Sequence, residues 1–157
     1  MNKKFNNYLI LYLSFLFFIC IFHLYTKHNV GNDSTISEWL INYSGGFTKR
    51  GIIGEIAIFF SRLLDQNLRD VIYIFQLSII GIYYISIYLF FKNLYLERYF
   101  LLSIFSPIFL IYPVAEIEVL ARKEVFIFVL FILHVLISSL DNNLRRISKL
   151  VILPLSI

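Results

Sequence analysis

Charge is scarce in this chain. Asp, Glu, Lys and Arg make up 15% of its 157 residues, whereas an ordinary globular domain carries roughly 25%. So few charges cannot coat a water-soluble enzyme, and a 59% hydrophobic share is incompatible with a disordered tail. The net charge of +4 is spread over a chain with mean hydropathy of +0.78. It therefore reads as membrane orientation, not as a face for nucleic acid. The single cysteine, Cys20, lies inside an apolar run, which excludes an internal disulfide, a multi-cysteine metal site and an iron–sulfur cluster. Of 3 prolines, Pro107 and Pro113 share one apolar stretch; of 6 glycines, Gly45, Gly46, Gly51 and Gly54 fall within ten residues.

What remains is hydrophobic and helical in pattern, and it predicts an all-α, polytopic transmembrane helix bundle forming a single membrane domain over 1–157. A span needs about 20 mostly apolar residues to cross roughly 30 Å of hydrocarbon. Four candidates run over 5–25, 71–91, 99–115 and 125–140, and a fifth apolar run starts at 150 and stops at 157. The first follows Lys3 and Lys4 but is too long for a signal peptide and has no small-residue cleavage site, so it reads as an uncleaved anchor. In the third, Pro107 and Pro113 predict a kinked helix covered by its neighbours. The eight-residue run at the end is too short to cross, so the chain reads as an amino-terminal fragment of a longer membrane protein.

With Lys3 and Lys4 inside, the inner segments 1–4, 92–98 and 141–149 and the outer segments 26–70 and 116–124 each hold seven basic residues. The inner seven are packed into 20 residues and the outer seven into 54, which puts the amino terminus in the cytoplasm. The outer basic residues run against that rule and need a reason to be there.

The outer loop 26–70 is the most informative segment. Trp39, the one tryptophan, is expected at headgroup level with its polar edge wet. The glycine cluster surrounds Lys49 and Arg50 and leads into a helix start, an arrangement suited to cradling an anion with loop flexibility from Gly45, Gly46, Gly51 and Gly54. From Ile52 to Asp65 the pattern is amphipathic: Gly51, Glu55, Arg62, Asp65 and Arg69 fall within about 80° of a helical wheel. Too short and too charged to span, this segment predicts an interfacial helix between spans one and two. Its bland alternative is a connector whose Lys49 and Arg50 hold lipid headgroups.

A second polar cluster, Glu116–Glu124, falls on the same outer side. Glu118 and Arg122 have the i,i+4 spacing of a helical ion pair. Either the cluster is a self-neutralised, solvated loop, or Arg122 and Lys123 join Lys49 and Arg50 around one anionic group, arginine offering a bidentate fork and lysine a point charge. A lipid-linked diphosphate sits at that depth. His134, deep in the fourth span, is expected to be a neutral imidazole bonded to a neighbouring helix. His23 and His28 flank the outer end of the first span without metal-ligand spacing, so no metal is assigned, and no cofactor is implied.

The run Asn42-Tyr-Ser-Gly-Gly-Phe-Thr-Lys-Arg-Gly-Ile-Ile-Gly-Glu55 resembles a segment that follows the first span of Wzy-type O-antigen polymerases, membrane proteins of bacterial polysaccharide clusters. A later R-K-D or R-K-E of that family is similar to Arg122-Lys123-Glu124. The resemblance covers those two stretches and the layout of spans, and Lys49 stands where an arginine is usual. Members of that family have more spans than this chain. The resemblance implies polymerisation of undecaprenyl-diphosphate-linked repeat units at the periplasmic face of the inner membrane, with lipid and a chain-length regulator as further partners. A sugar hydroxyl of one repeat attacks the anomeric carbon of the growing chain, and undecaprenyl diphosphate leaves. The leaving diphosphate needs cations, for which Lys49, Arg50, Arg122 and Lys123 are the candidates. The attacking hydroxyl needs a proton acceptor, for which Glu55 and Glu38 lead, with Glu116 and Glu118 behind them.

Three other readings stay open. A polytopic glycosyltransferase using polyprenyl-phosphate sugars leans on an acidic pair in its first outer loop, and only Asp33 and Glu38 are near enough here. A flippase component calls for more polar residues within its spans than His134. An inactive gene remnant needs none of these features.

Overall fold

The computed structural model of the chain describes residues 3–30, 34–44, 46, 51–92, 104–106, 110–122 and 125–138. Among these there is no strand. The elements are α1 (Lys3–Asn29), α2 (Ser34–Trp39), α3 (Gly51–Leu64), α4 (Leu68–Lys92), α5 (Tyr112–Ala115), α6 (Ile117–Ala121) and α7 (Val125–Ser138).

Length separates them into classes. At 1.5 Å per residue, α1 and α4 reach about 40 and 38 Å, more than the hydrocarbon thickness, whereas α7 reaches about 21 Å. Among the described residues, two helices are thus long and apolar enough to cross a membrane. α1 overruns its expected end by a turn, because Lys27 and His28 suit the negative end of a helix and prolong it. It is closed by the Arg69 guanidinium, which donates to the carbonyls of Lys27 and Val30.

The four-span layout is met only in part. Within 99–115 the described residues are not one continuous helix: Phe105 and Ser106 form a turn and a bend, and Pro113 stands in the first turn of the short α5, where its missing N–H breaks no ladder. Glu116, at φ −96° and ψ 72°, then separates α5 from α6. Pro107 and the run 150–157 lie outside the described residues.

α4 is the hub, packing against α1 along its length and against α3 and α7. α1 turns Leu9, Leu13, Leu16, Cys20 and Leu24 inward, while Tyr8, Leu11, Phe15, Phe18, Phe22 and Tyr25 form an opposite, exposed stripe. In water so large an apolar face would be an aggregation liability; among lipid tails it costs nothing. Tyr88 donates to Asn6 Oδ1 at 3.1 Å near one end of the pair, and His28 meets Asp70 at the other.

α3 is helical where expected but turned differently. Its buried residues are the small ones, Gly51, Gly54 and Ala57, and the stripe Ile52, Ile56, Phe59 and Leu63 is exposed. Small side chains let backbones approach closely where lipid supplies no hydrophobic drive between helices. Gly54 is the tightest point, since a Cβ there would stand 2.0 Å from the Ile41 carbonyl oxygen. Arg69, expected on the polar face of this helix, belongs to α4 instead. The break is made by Asp65, whose φ of 51° is left-handed, with Gln66 N–H donating to the Ser61 carbonyl at 3.1 Å.

Gly54→Ala forces two backbones apart and is expected to lower stability by about 1–3 kcal/mol or more, read as a fall in Tm of the detergent-purified protein. Ile52→Ala, on the exposed stripe, should leave Tm nearly unchanged.

Candidate functional site

The end of the bundle where α1 finishes and α4 begins collects most of the described charge. His28 Nε2 lies 3.0 Å from Asp70 Oδ1, and its ring stacks on Tyr73 with centroids 4.9 Å apart. Beside this junction Lys27 Nζ donates to Glu118 Oε1 at 2.9 Å, tying α1 to α6. Arg122, directly after α6, places Nη2 3.7 Å from Glu118 Oε2 and Nε 3.9 Å from Glu38 Oε1 on α2. The result is a string, Lys27–Glu118–Arg122–Glu38, assembled from segments up to 95 positions apart and formally neutral.

The i,i+4 spacing of Glu118 and Arg122 is realised, and Glu118 also serves Lys27. All four side chains are between 29% and 45% exposed. At that exposure the pairs are weakly held and their cations remain open to exchange with an external anion.

Beneath the string the contacts are dry. Trp39 has no exposed surface; its indole N–H donates to the Ala121 carbonyl at 2.6 Å, and its ring packs 5.8 Å from that of Phe126. This corrects the expectation of a wet tryptophan at headgroup level: its polar edge is satisfied by protein, not water. Gln76, a buried amide on α4, donates to the same carbonyl at 3.0 Å.

No family model matches this chain, and no curated protein or solved structure matches it significantly.

The chemistry therefore rests on geometry. Of the residues singled out from sequence, Arg122 and Glu38 are brought together. Glu55 is engaged elsewhere, its Oε1 accepting the Tyr43 N–H at 2.9 Å, which holds the turn after α2 against α3. Gly46 sits at φ 119°, in the left-handed region that favours glycine, and its N–H donates to the Tyr43 carbonyl at 3.0 Å. Gly51 and Gly54 do not give loop flexibility; they are buried packing positions in α3. Gly45, Lys49, Arg50 and Lys123 lie outside the described residues, as does any meeting of Lys49 and Arg50 with Arg122. His134 Nδ1 is buried with no hydrogen-bond partner among the described residues, so the expected bond at that nitrogen is not seen.

Lys27, Gln76 and the His28–Asp70 pair were not singled out from sequence. Gln76 did carry a signal, as a polar amide in an otherwise apolar span. Lys27 carried one too, as a basic residue directly after a long apolar run.

A groove of about 440 Å³ runs between α1 and α4 deeper in the bundle, lined by Ile10, Leu13, Phe17, Gly81, Tyr84 and Tyr88 among others. The hydroxyls of its two tyrosines are taken up, Tyr84 by Cys20 Sγ at 3.5 Å and Tyr88 by Asn6, so its surface suits a hydrocarbon chain.

Lys27→Met and Glu118→Gln, alone and together, should give a coupling of about 0.2–1 kcal/mol, the range for exposed pairs. Thermal unfolding of the four proteins in detergent checks this, and the coupling should shrink in high salt.

Proposed function

We propose that this chain acts on undecaprenyl-diphosphate-linked oligosaccharide, joining O-antigen repeat units at the periplasmic face of the bacterial inner membrane. The observation that carries the reading is the convergence of Lys27, Glu118, Arg122 and Glu38 at one end of two membrane-length helices. A diphosphate arriving there exchanges with the carboxylates for the two cations, and charge developing on the leaving group is met by them. Glu38, freed from Arg122, takes the proton of the attacking sugar hydroxyl. Lys49 and Arg50, just ahead of α3, and Lys123 complete the cationic set.

The finer membrane arrangement belongs to the same proposal. The amino terminus is cytoplasmic, α1 and α4 are the first two of four spans, and α3 lies in the interface. Its exposed stripe of Ile52, Ile56, Phe59 and Leu63 supports that placement, because an apolar stripe without a protein partner suits acyl chains. The groove between α1 and α4 then accommodates part of the polyprenyl tail.

A gel of the surface glycan tests the reading. Deletion of the gene should leave lipid A-core carrying a single repeat unit. Arg50→Ala and Arg122→Ala should fail to restore the ladder, whereas Arg145→Ala, outside the site, should restore it. Complete loss of the repeat would point to a transferase or flippase step, and an unchanged ladder would end the proposal.

A further inference from the structure

We infer that Trp39 and Gln76 are positioning residues that fix Arg122 through the carbonyl between them; the inference rests on the reading above that Arg122 holds the diphosphate.

Ala121 is the last residue of α6, so its carbonyl has no partner within that helix. The residue has no exposed surface, and an unpaired carbonyl so placed is costly. Two donors reach it from elements distant in sequence, the Trp39 indole at 2.6 Å from α2 and the Gln76 amide at 3.0 Å from α4. A carbonyl oxygen has two lone pairs, so both bonds are accommodated. Gln76 stands about 12 Å into α4, a depth at which a polar amide is expensive unless it has a task.

That task follows from the planarity of the peptide. The Ala121 oxygen lies in one plane with the nitrogen and Cα of Arg122, so two bonds to the oxygen also set where the Arg122 side chain begins. Arg122 leaves that plane extended, at φ −78° and ψ 161°, with its guanidinium facing Glu38 and Glu118. Glu38 adjoins Trp39, so the six-residue α2 brings both the donor that pins the peptide and the carboxylate that meets the guanidinium. Gln76 ties the same peptide to a membrane-length helix, which sets the depth of Arg122.

Trp39→Phe keeps a ring against Phe126 and removes only the N–H donor; Gln76→Leu keeps volume and removes the amide. With lipid-linked repeat units as substrate, each variant should lower kcat/KM about tenfold, a loss of about 1.4 kcal/mol, with kcat falling because the displaced cation meets the leaving group's charge less well. In an Arg122→Ala background, where binding of the lipid-linked repeat unit is measured in place of turnover, neither should weaken binding further, because the group they position is gone. Full additive losses there would mean general destabilisation and overturn the inference. A second measurement needs no activity: in a Cys20→Ser, Arg122→Cys chain, a membrane-impermeant maleimide should alkylate position 122 several-fold faster once Gln76→Leu or Trp39→Phe is added. An unchanged rate overturns the inference. Faster alkylation in a protein whose native form polymerises nothing upholds the pin and removes the diphosphate reading alone.

Discussion

One carbonyl oxygen, that of Ala121, is where the separate parts of this molecule meet. It receives a bond from the last residue of α2 and another from the first half of α4, and it belongs to the segment that leads into α7. Ala121 has no exposed surface, so the usual remedy for an unpaired backbone group, a water molecule, is kept away. A polar side chain buried at this depth is therefore obliged to find a protein partner, and the partner it finds fixes the topology around it. The charged string above depends on that arrangement: α6 carries Glu118 to Lys27, and α2 carries Glu38 to Arg122. Without the buried pair of bonds, the exposed ion pairs are individually too weak to hold four segments together.

Ion pairs of this kind are better read as a reservoir of exchangeable charge than as a source of stability. Lys27 and Arg122 are each matched by a carboxylate, so the cluster repels neither headgroup nor tail when nothing is bound. On the proposed reading, an incoming diphosphate brings more negative charge than the carboxylate it displaces. Under the same proposal the exchange would leave a carboxylate free to act as proton acceptor.

How much of this was legible in the sequence follows from the physics of each part. The two long helices were readable to within a turn, because uniform hydropathy over more than 20 residues has few other solutions. α3 was readable as a helix but not in its orientation: a wheel reports where the apolar stripe is, and whether that stripe meets protein or lipid depends on the solvent. The third span is not seen as one helix among the described residues, because Pro113 and Glu116 mark the start and stop of a short helix that hydropathy does not register. The meeting of Glu38 with Arg122 could not be read at all. It depends on the Trp39 indole reaching a carbonyl 82 positions away, a contact with no local pattern. Trp39 itself was misplaced because a preference for the interface is a statement about unpartnered rings.

The fastening of α1 to α4 at both ends has a mechanical meaning. Near one end Tyr88 holds Asn6; at the other His28 meets Asp70 while Arg69 holds the final carbonyls of α1. A hairpin clamped at two points some 22 residues apart resists both splaying and sliding, so it behaves as a rigid strut.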